Sequence, residues 1–103
     1  SQTNKSYHLL QKDGFAHAVD LMAYCSGKAC WELNVYDDLC DAMKDASKQL
    51  GNIPIKWGAA WSEGSITSYT GTAEDAMNAY IDLRRSQGRR PFLDGPHFEL
   101  MYL

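Results

Sequence analysis

The sequence predicts an α+β domain: a mainly antiparallel sheet with two helices packed on one face, in the order β-β-β-α-β-β-α-β. Three observations lead there. The phrase Asp-Ala-Met occurs twice, as Asp41-Ala42-Met43 and Asp75-Ala76-Met77, each inside a stretch of helical apolar spacing that ends at a glycine, Gly51 or Gly88. Runs of alternating apolar and polar residues flank both stretches. Near the start, Asp13-Gly14 is a two-residue hairpin signal, because both residues tolerate the positive φ of a type I′ turn. A chain of 103 residues has room for one core, so residues 1–103 form a single domain, with the polar residues 1–6 frayed.

Taken in order, Tyr7–Lys12 reads as the first strand. Phe15–Cys25 reads as a long second strand after the Asp13-Gly14 turn, with apolar residues on both faces. Ser26-Gly27 turns the chain, and Cys30–Tyr36 alternates, with Trp31, Leu33 and Val35 inward. Asp37 is placed to cap the first helix, whose apolar stripe is Leu39, Met43, Ala46 and Leu50. Ile53, Ile55 and Trp57 alternate in the next strand, with Pro54 marking an edge. Gly58–Gly64 turns, and Ser65–Thr70 is β-prone. Thr72 and Asp75 form a capping box for the second helix, whose apolar face holds Ala73, Ala76, Met77, Tyr80, Ile81 and Leu83. A loop from Gly88 to Pro96 leads to a last strand carrying Phe98, Leu100 and Tyr102. The last six elements have the order of a ferredoxin-like (split βαβ) unit, to which the N-terminal hairpin is added.

Composition narrows the classes. Hydrophobic content of 45% with 22% charged residues is that of a globular protein, and the net charge of −3 argues against a generic nucleic-acid or membrane-surface binder. No apolar run reaches the ~20 residues that span a bilayer. Three cysteines, Cys25, Cys30 and Cys40, suggest reduced thiols and a cytoplasmic location. Cys25 and Cys30 flank the Ser26-Gly27 turn and would face each other across the hairpin.

Four groups of residues could carry a site. Arg84, Arg85, Arg89 and Arg90 cluster around Gly88 and form the candidate anion- or partner-binding site. Cations at a helix C-terminus account for the first two, and Arg84 falls in the middle of the apolar face, with its stem over the core edge. The tryptophans Trp31, Trp57 and Trp61 could stack bases, but Trp31 and Trp57 share the phase of inward aliphatics, which favours core. His8, His17 and His97 are scattered, and no metal or cofactor is assigned to them. Cys40 lies toward the start of the first helix, where a thiol pKa can fall, without a base beside it.

No catalytic motif is present. The leading reading is a small non-catalytic binding protein acting through protein contact or as a homodimer, of the kind that serves as an accessory or inhibitor protein of mobile genetic elements. The alternative is nucleic-acid or phospholigand binding through the Arg84–Arg90 loop. The third is a ligand-binding domain or enzyme with a histidine-lined pocket.

Overall fold

The computed structural model describes residues 17–101. It is α+β, with antiparallel sheets and two helices. Strands β1 (Ala18–Asp20), β2 (Ala23–Cys25) and β3 (Lys28–Cys30) precede helix α1 (Leu33–Gln49). Strand β4 (Ile55–Trp57), a 3-10 turn (Trp61–Glu63), helix α2 (Ala73–Ser86) and strand β5 (His97–Leu100) follow. The main sheet has the order β1-β5-β4, and β2 with β3 forms a separate two-stranded ribbon. The expected first strand and the Asp13-Gly14 turn lie outside the described residues. In a ferredoxin-like unit the strand before the first helix joins the main sheet; here β3 pairs with β2 in the ribbon.

Register sorts the main sheet into two chemically different faces. Trp57, Phe98 and Val19 stand opposite one another across the three strands, and Ile55 stands opposite Leu100. Directly opposed residues of antiparallel strands project to the same side, so these form an apolar face. The alternate residues, Asp20, Lys56, His97 and Glu99, share the other face, where Asp20 is paired with His97 and Lys56 with Glu99. The core joins the apolar face to both helices: Trp57, Phe98, Ile66, Tyr36 and Cys40 are its largest fully buried side chains, with Ala73, Ala76 and Met77 from α2.

Several expected boundaries are corrected. The strand expected over Cys30–Tyr36 ends at Cys30, and α1 begins at Leu33 rather than after Asp37. Its alternation is also compatible with helix: Tyr36, Cys40, Met43 and Ser47 form a stripe spaced by three and four, and all but the half-buried Met43 are fully buried. Tyr36 anchors this arrangement, because its hydroxyl donates to Cys30 O (2.6 Å) and accepts from Ala23 N (3.1 Å), tying the ribbon to the helix. Trp31, which precedes α1, is 65% exposed and Leu50, just past its end, is 72% exposed, where core positions were expected. The long strand Phe15–Cys25 is broken between Asp20 and Ala23, where Leu21 N turns to donate to Pro96 O at 2.9 Å. Of the strand expected over Ser65–Thr70, one bridge survives, Ser65 to Lys56. Thr67 there donates from its hydroxyl to Ile53 O (2.6 Å), and side-chain bonding of that kind competes with a ladder.

The helix stops at Gly51 and Gly88 are as expected: both sit at positive φ, +106° and +70°, just past α1 and α2. The Thr72–Asp75 capping box is formed in full. The two Asp-Ala-Met copies do not play equivalent roles. Asp41 Oδ1 accepts from Ala73 N (2.8 Å) and so caps the other helix, whereas Asp75 caps its own. Met77 is buried, and Met43 is half-buried.

Two stability predictions follow from this packing. Met77→Ala costs ~2–5 kcal/mol in chemical denaturation, the range for a buried large-to-small change, and Met43→Ala costs less. The second concerns Asp37, which is buried inside α1; burial first, then Asp38 and Glu74, raise its carboxyl above the ordinary range. A raised native pKa means the folded state holds that proton more tightly, so stability falls as pH rises from the unfolded value, ~3.9, through the native one. Asp37→Asn therefore raises the melting temperature at pH 7, and the gain shrinks as pH falls below the native pKa.

Candidate metal centre

The polar face of the sheet carries the most concentrated chemistry among the described residues. Asp20 in β1 lies directly opposite His97, the first residue of β5, so the ladder itself places the two side chains together. Asp94 reaches the same point from the turn before β5. One ligand atom each from Asp20, Asp94 and His97 lie within 4.8 Å of one another.

The Asp94–His97 turn is held on several sides. Asp94 N donates to Gly58 O (2.8 Å), Gly58 N donates to His97 O (2.9 Å), and His97 N donates to Asp94 O (3.0 Å). Trp57 Nε1 donates to Gly95 O at 2.8 Å. Gly58 has to lack a side chain here: a Cβ would overlap the Asp94 carbonyl oxygen and fall 2.9 Å from His97 Cβ. Gly95 packs as closely, since a Cβ there would come within 2.9 Å of Tyr36 Cβ. Backbone geometry thus positions Asp94 and His97 before any ligand arrives.

The donor set fits a cation. His97 is buried, with its Nε2 2.8 Å from Glu99 Oε1. An ionised carboxylate only accepts, so Nε2 carries the hydrogen and donates. In the neutral ring Nδ1 is then the lone-pair nitrogen, and it faces Asp20 Oδ1 at 3.4 Å. Two carboxylate oxygens and an imidazole lone pair converge, and a positive charge at their centre relieves their repulsion. A histidine whose far nitrogen is held by a carboxylate is the usual support for a metal-ligating ring. Imidazole with carboxylate suits zinc, whose catalytic sites use three protein ligands and leave a position open.

Aromatic side chains wall the site. The Trp61 ring leans on His97, with centroids 5.2 Å apart, and stacks on Phe92 at 6.3 Å and 17°. Among the described residues, Trp61 Nε1 is buried without an acceptor.

The chain matches the family model described as phage L-alanyl-D-glutamate peptidase over residues 1–101. It belongs to that family. No curated protein and no solved structure is matched. Among the described residues, no helix is long and apolar enough to cross a membrane.

The residues singled out from the sequence fare unequally. His97 is at the centre; His17 lies three residues before Asp20; His8 lies outside the described residues. The sequence reading assigned no metal and missed Asp20 and Asp94. The compact spacing Asp94-x-x-His97, at the mouth of a strand, was the signal available for the second. Of the arginines, Arg84 is half-buried, while Arg85, Arg89 and Arg90 are exposed. Cys40 is fully buried, and burial pushes its thiol well above the ordinary range, the opposite of the expected activation. Cys25 and Cys30 are diagonal rather than direct partners, since β2 pairs Cys25 with Lys28 and Ala23 with Cys30, but they share one face of the ribbon and their thiols are in contact.

The clamp around the turn makes a prediction. Gly58→Ala costs ~1–3 kcal/mol in urea unfolding, as over-packed sites do. It also weakens zinc binding measured by calorimetry, because relief of the clash moves the Asp94–His97 turn.

Proposed function

We propose that this protein is a metal-dependent peptidase that hydrolyses the amide bond between an L-alanyl and a D-glutamyl residue. The observation that carries this reading is the convergence of Asp20, Asp94 and His97 on the polar sheet face of a chain from the L-alanyl-D-glutamate peptidase family. The linkage is one that bacterial cell-wall peptides carry, which makes such peptides the substrate class and phage infection the setting. The cytoplasm is then where the chain is made with its thiols reduced, and the wall is where it acts. This supports an enzyme with a histidine-containing site over a non-catalytic binding role.

Asp20 and His97, through Nδ1, would hold the metal. A bound zinc ion would polarise the scissile carbonyl and lower the pKa of a water molecule. Glu99 holds the hydrogen of His97 on Nε2, which turns the Nδ1 lone pair toward Asp20. Asp94 is the remaining carboxylate within reach, and it serves as general base. It takes a proton from the attacking water as the oxygen bonds to the alanyl carbonyl carbon. The carbon–nitrogen bond then breaks, and the same proton passes to the glutamyl nitrogen, which leaves as an amine. The clamped turn keeps Asp94 in position without reorganisation during the reaction.

A synthetic peptide containing L-Ala–D-Glu, incubated with the zinc-loaded chain and followed by mass spectrometry, tests the proposal. Cleavage at that bond is expected; chelation abolishes it and zinc restores it. Asp94→Asn lowers kcat ~10²–10⁴-fold with zinc still bound, the range for loss of a general base. Glu99→Gln weakens zinc affinity ~10–100-fold, as loss of a supporting carboxylate does. Intact peptide after incubation with the zinc-loaded protein, or full activity in Asp94→Asn, contradicts the reading.

A further inference from the structure

Beside the candidate metal centre lies a groove of about 360 Å3. It starts at Trp61, whose ring rests on His97, and reaches the last turn of α2. Phe92, Tyr80 and Leu83 give it apolar walls, and Arg84 and Gln87 supply its polar groups. The Phe92 wall is fixed at the backbone: Tyr80 OH donates to Phe92 O (3.1 Å) and accepts from Phe92 N (3.0 Å). That bond and the Trp61 stack hold a phenylalanine that is 63% exposed. An aromatic ring held in solvent beside a site is a surface for a ligand rather than for the core.

Among the described residues, Arg84 is the one cation on this groove. It is half-buried, and its Nε makes a long contact to Arg90 O at 3.4 Å. Its two terminal nitrogens make no hydrogen bond among the described residues. Placing a guanidinium on the apolar face of a helix leaves a planar two-pronged donor aimed along an apolar trough, a match for a carboxylate on an aliphatic stem. A glutamyl residue is such a group. It has two carboxyls; one carries the chain onward, and the other is free.

We infer that this groove receives the glutamyl side of the substrate and that Arg84 pairs with the free carboxylate, an assignment that rests on the peptidase reading. Trp61 and Phe92 pack along the methylenes, and the amide nitrogen is left toward Asp94 and His97. Arg84 thereby distinguishes glutamate from a neutral residue at this position. Of the four arginines clustered around Gly88, the geometry selects this one.

The test uses the full zinc-loaded chain and two synthetic peptides, one with L-Ala–D-Glu and one in which the free carboxylate is converted to an amide. The wild type is expected to show a lower KM for the carboxylate form. Arg84→Gln raises that KM roughly tenfold to hundredfold, as loss of one charge-assisted pair does, and leaves kcat and the KM of the amide peptide nearly unchanged. Arg84→Lys, which preserves the stem and the charge but not the fork, falls between. Arg85→Ala and Arg89→Ala leave both KM values as in the wild type. Unfolding midpoints of all variants establish that the fold is intact. Equal KM values for the two peptides in the wild type, or undiminished discrimination in both Arg84 variants, overturn the assignment while the peptidase reading stands. A wild type that cleaves neither peptide overturns both.

Discussion

The close approach of Gly58 to the Asp94–His97 turn is the constraint on which the rest of the site depends. A strand end and a turn meet with no room for a methyl group between them. Three backbone hydrogen bonds close that contact, and the indole of the fully buried Trp57 adds a fourth from the core side. The same turn gives Pro96 O to Leu21 N, which ends β1 just after Asp20. One clamp therefore fixes Asp94, starts β5 at His97 and delimits the strand that carries Asp20. Asp20 is distant in sequence from the Asp94–His97 turn, and the three groups share one location because the backbone is pinned there.

The division of the sheet into two faces turns that clamp into chemistry. Trp57, Phe98, Ile55 and Leu100 bury one face against the helices. Period-two alternation then obliges Asp20, His97 and Glu99 onto the other face. Burying the apolar face is what makes the polar face rigid, and a rigid cluster of acceptors can hold a cation without paying reorganisation on binding. Cavity or register changes in the core would be felt at the site, since a shift of one residue would move His97 to the apolar side.

Much of the fold was legible in the sequence, for local reasons. Gly51 and Gly88, the Thr72–Asp75 box and the alternation of Ile55 with Trp57 and of Phe98 with Leu100 each encode their element in neighbouring residues. Where the reading failed, a distant contact decided the outcome. Tyr36 turned an alternating run into helix by bonding to the ribbon, Leu21 broke a strand by bonding to Pro96, and Thr67 took a backbone carbonyl that a ladder would have used. The site was less legible because Asp20 lies far in the chain from Asp94 and His97. Asp20 looked like one polar residue on a strand, and Asp94 like a loop residue between glycine and proline. The arginine cluster drew attention by density along the chain, and of its members only Arg84 lines the groove beside Trp61.

In the proposed metal centre of Asp20, Asp94 and His97, His97 ligates through Nδ1 because Glu99 holds Nε2. X-ray diffraction from zinc-loaded crystals, recorded on both sides of the zinc absorption edge, tests it most directly. One strong anomalous peak is expected on the polar sheet face at bonding distance, ~2.0–2.2 Å, from Asp20 and His97 Nδ1, beside Asp94. A zinc peak elsewhere on the chain, or a His97 ring with Nδ1 turned away from the ion, would contradict it.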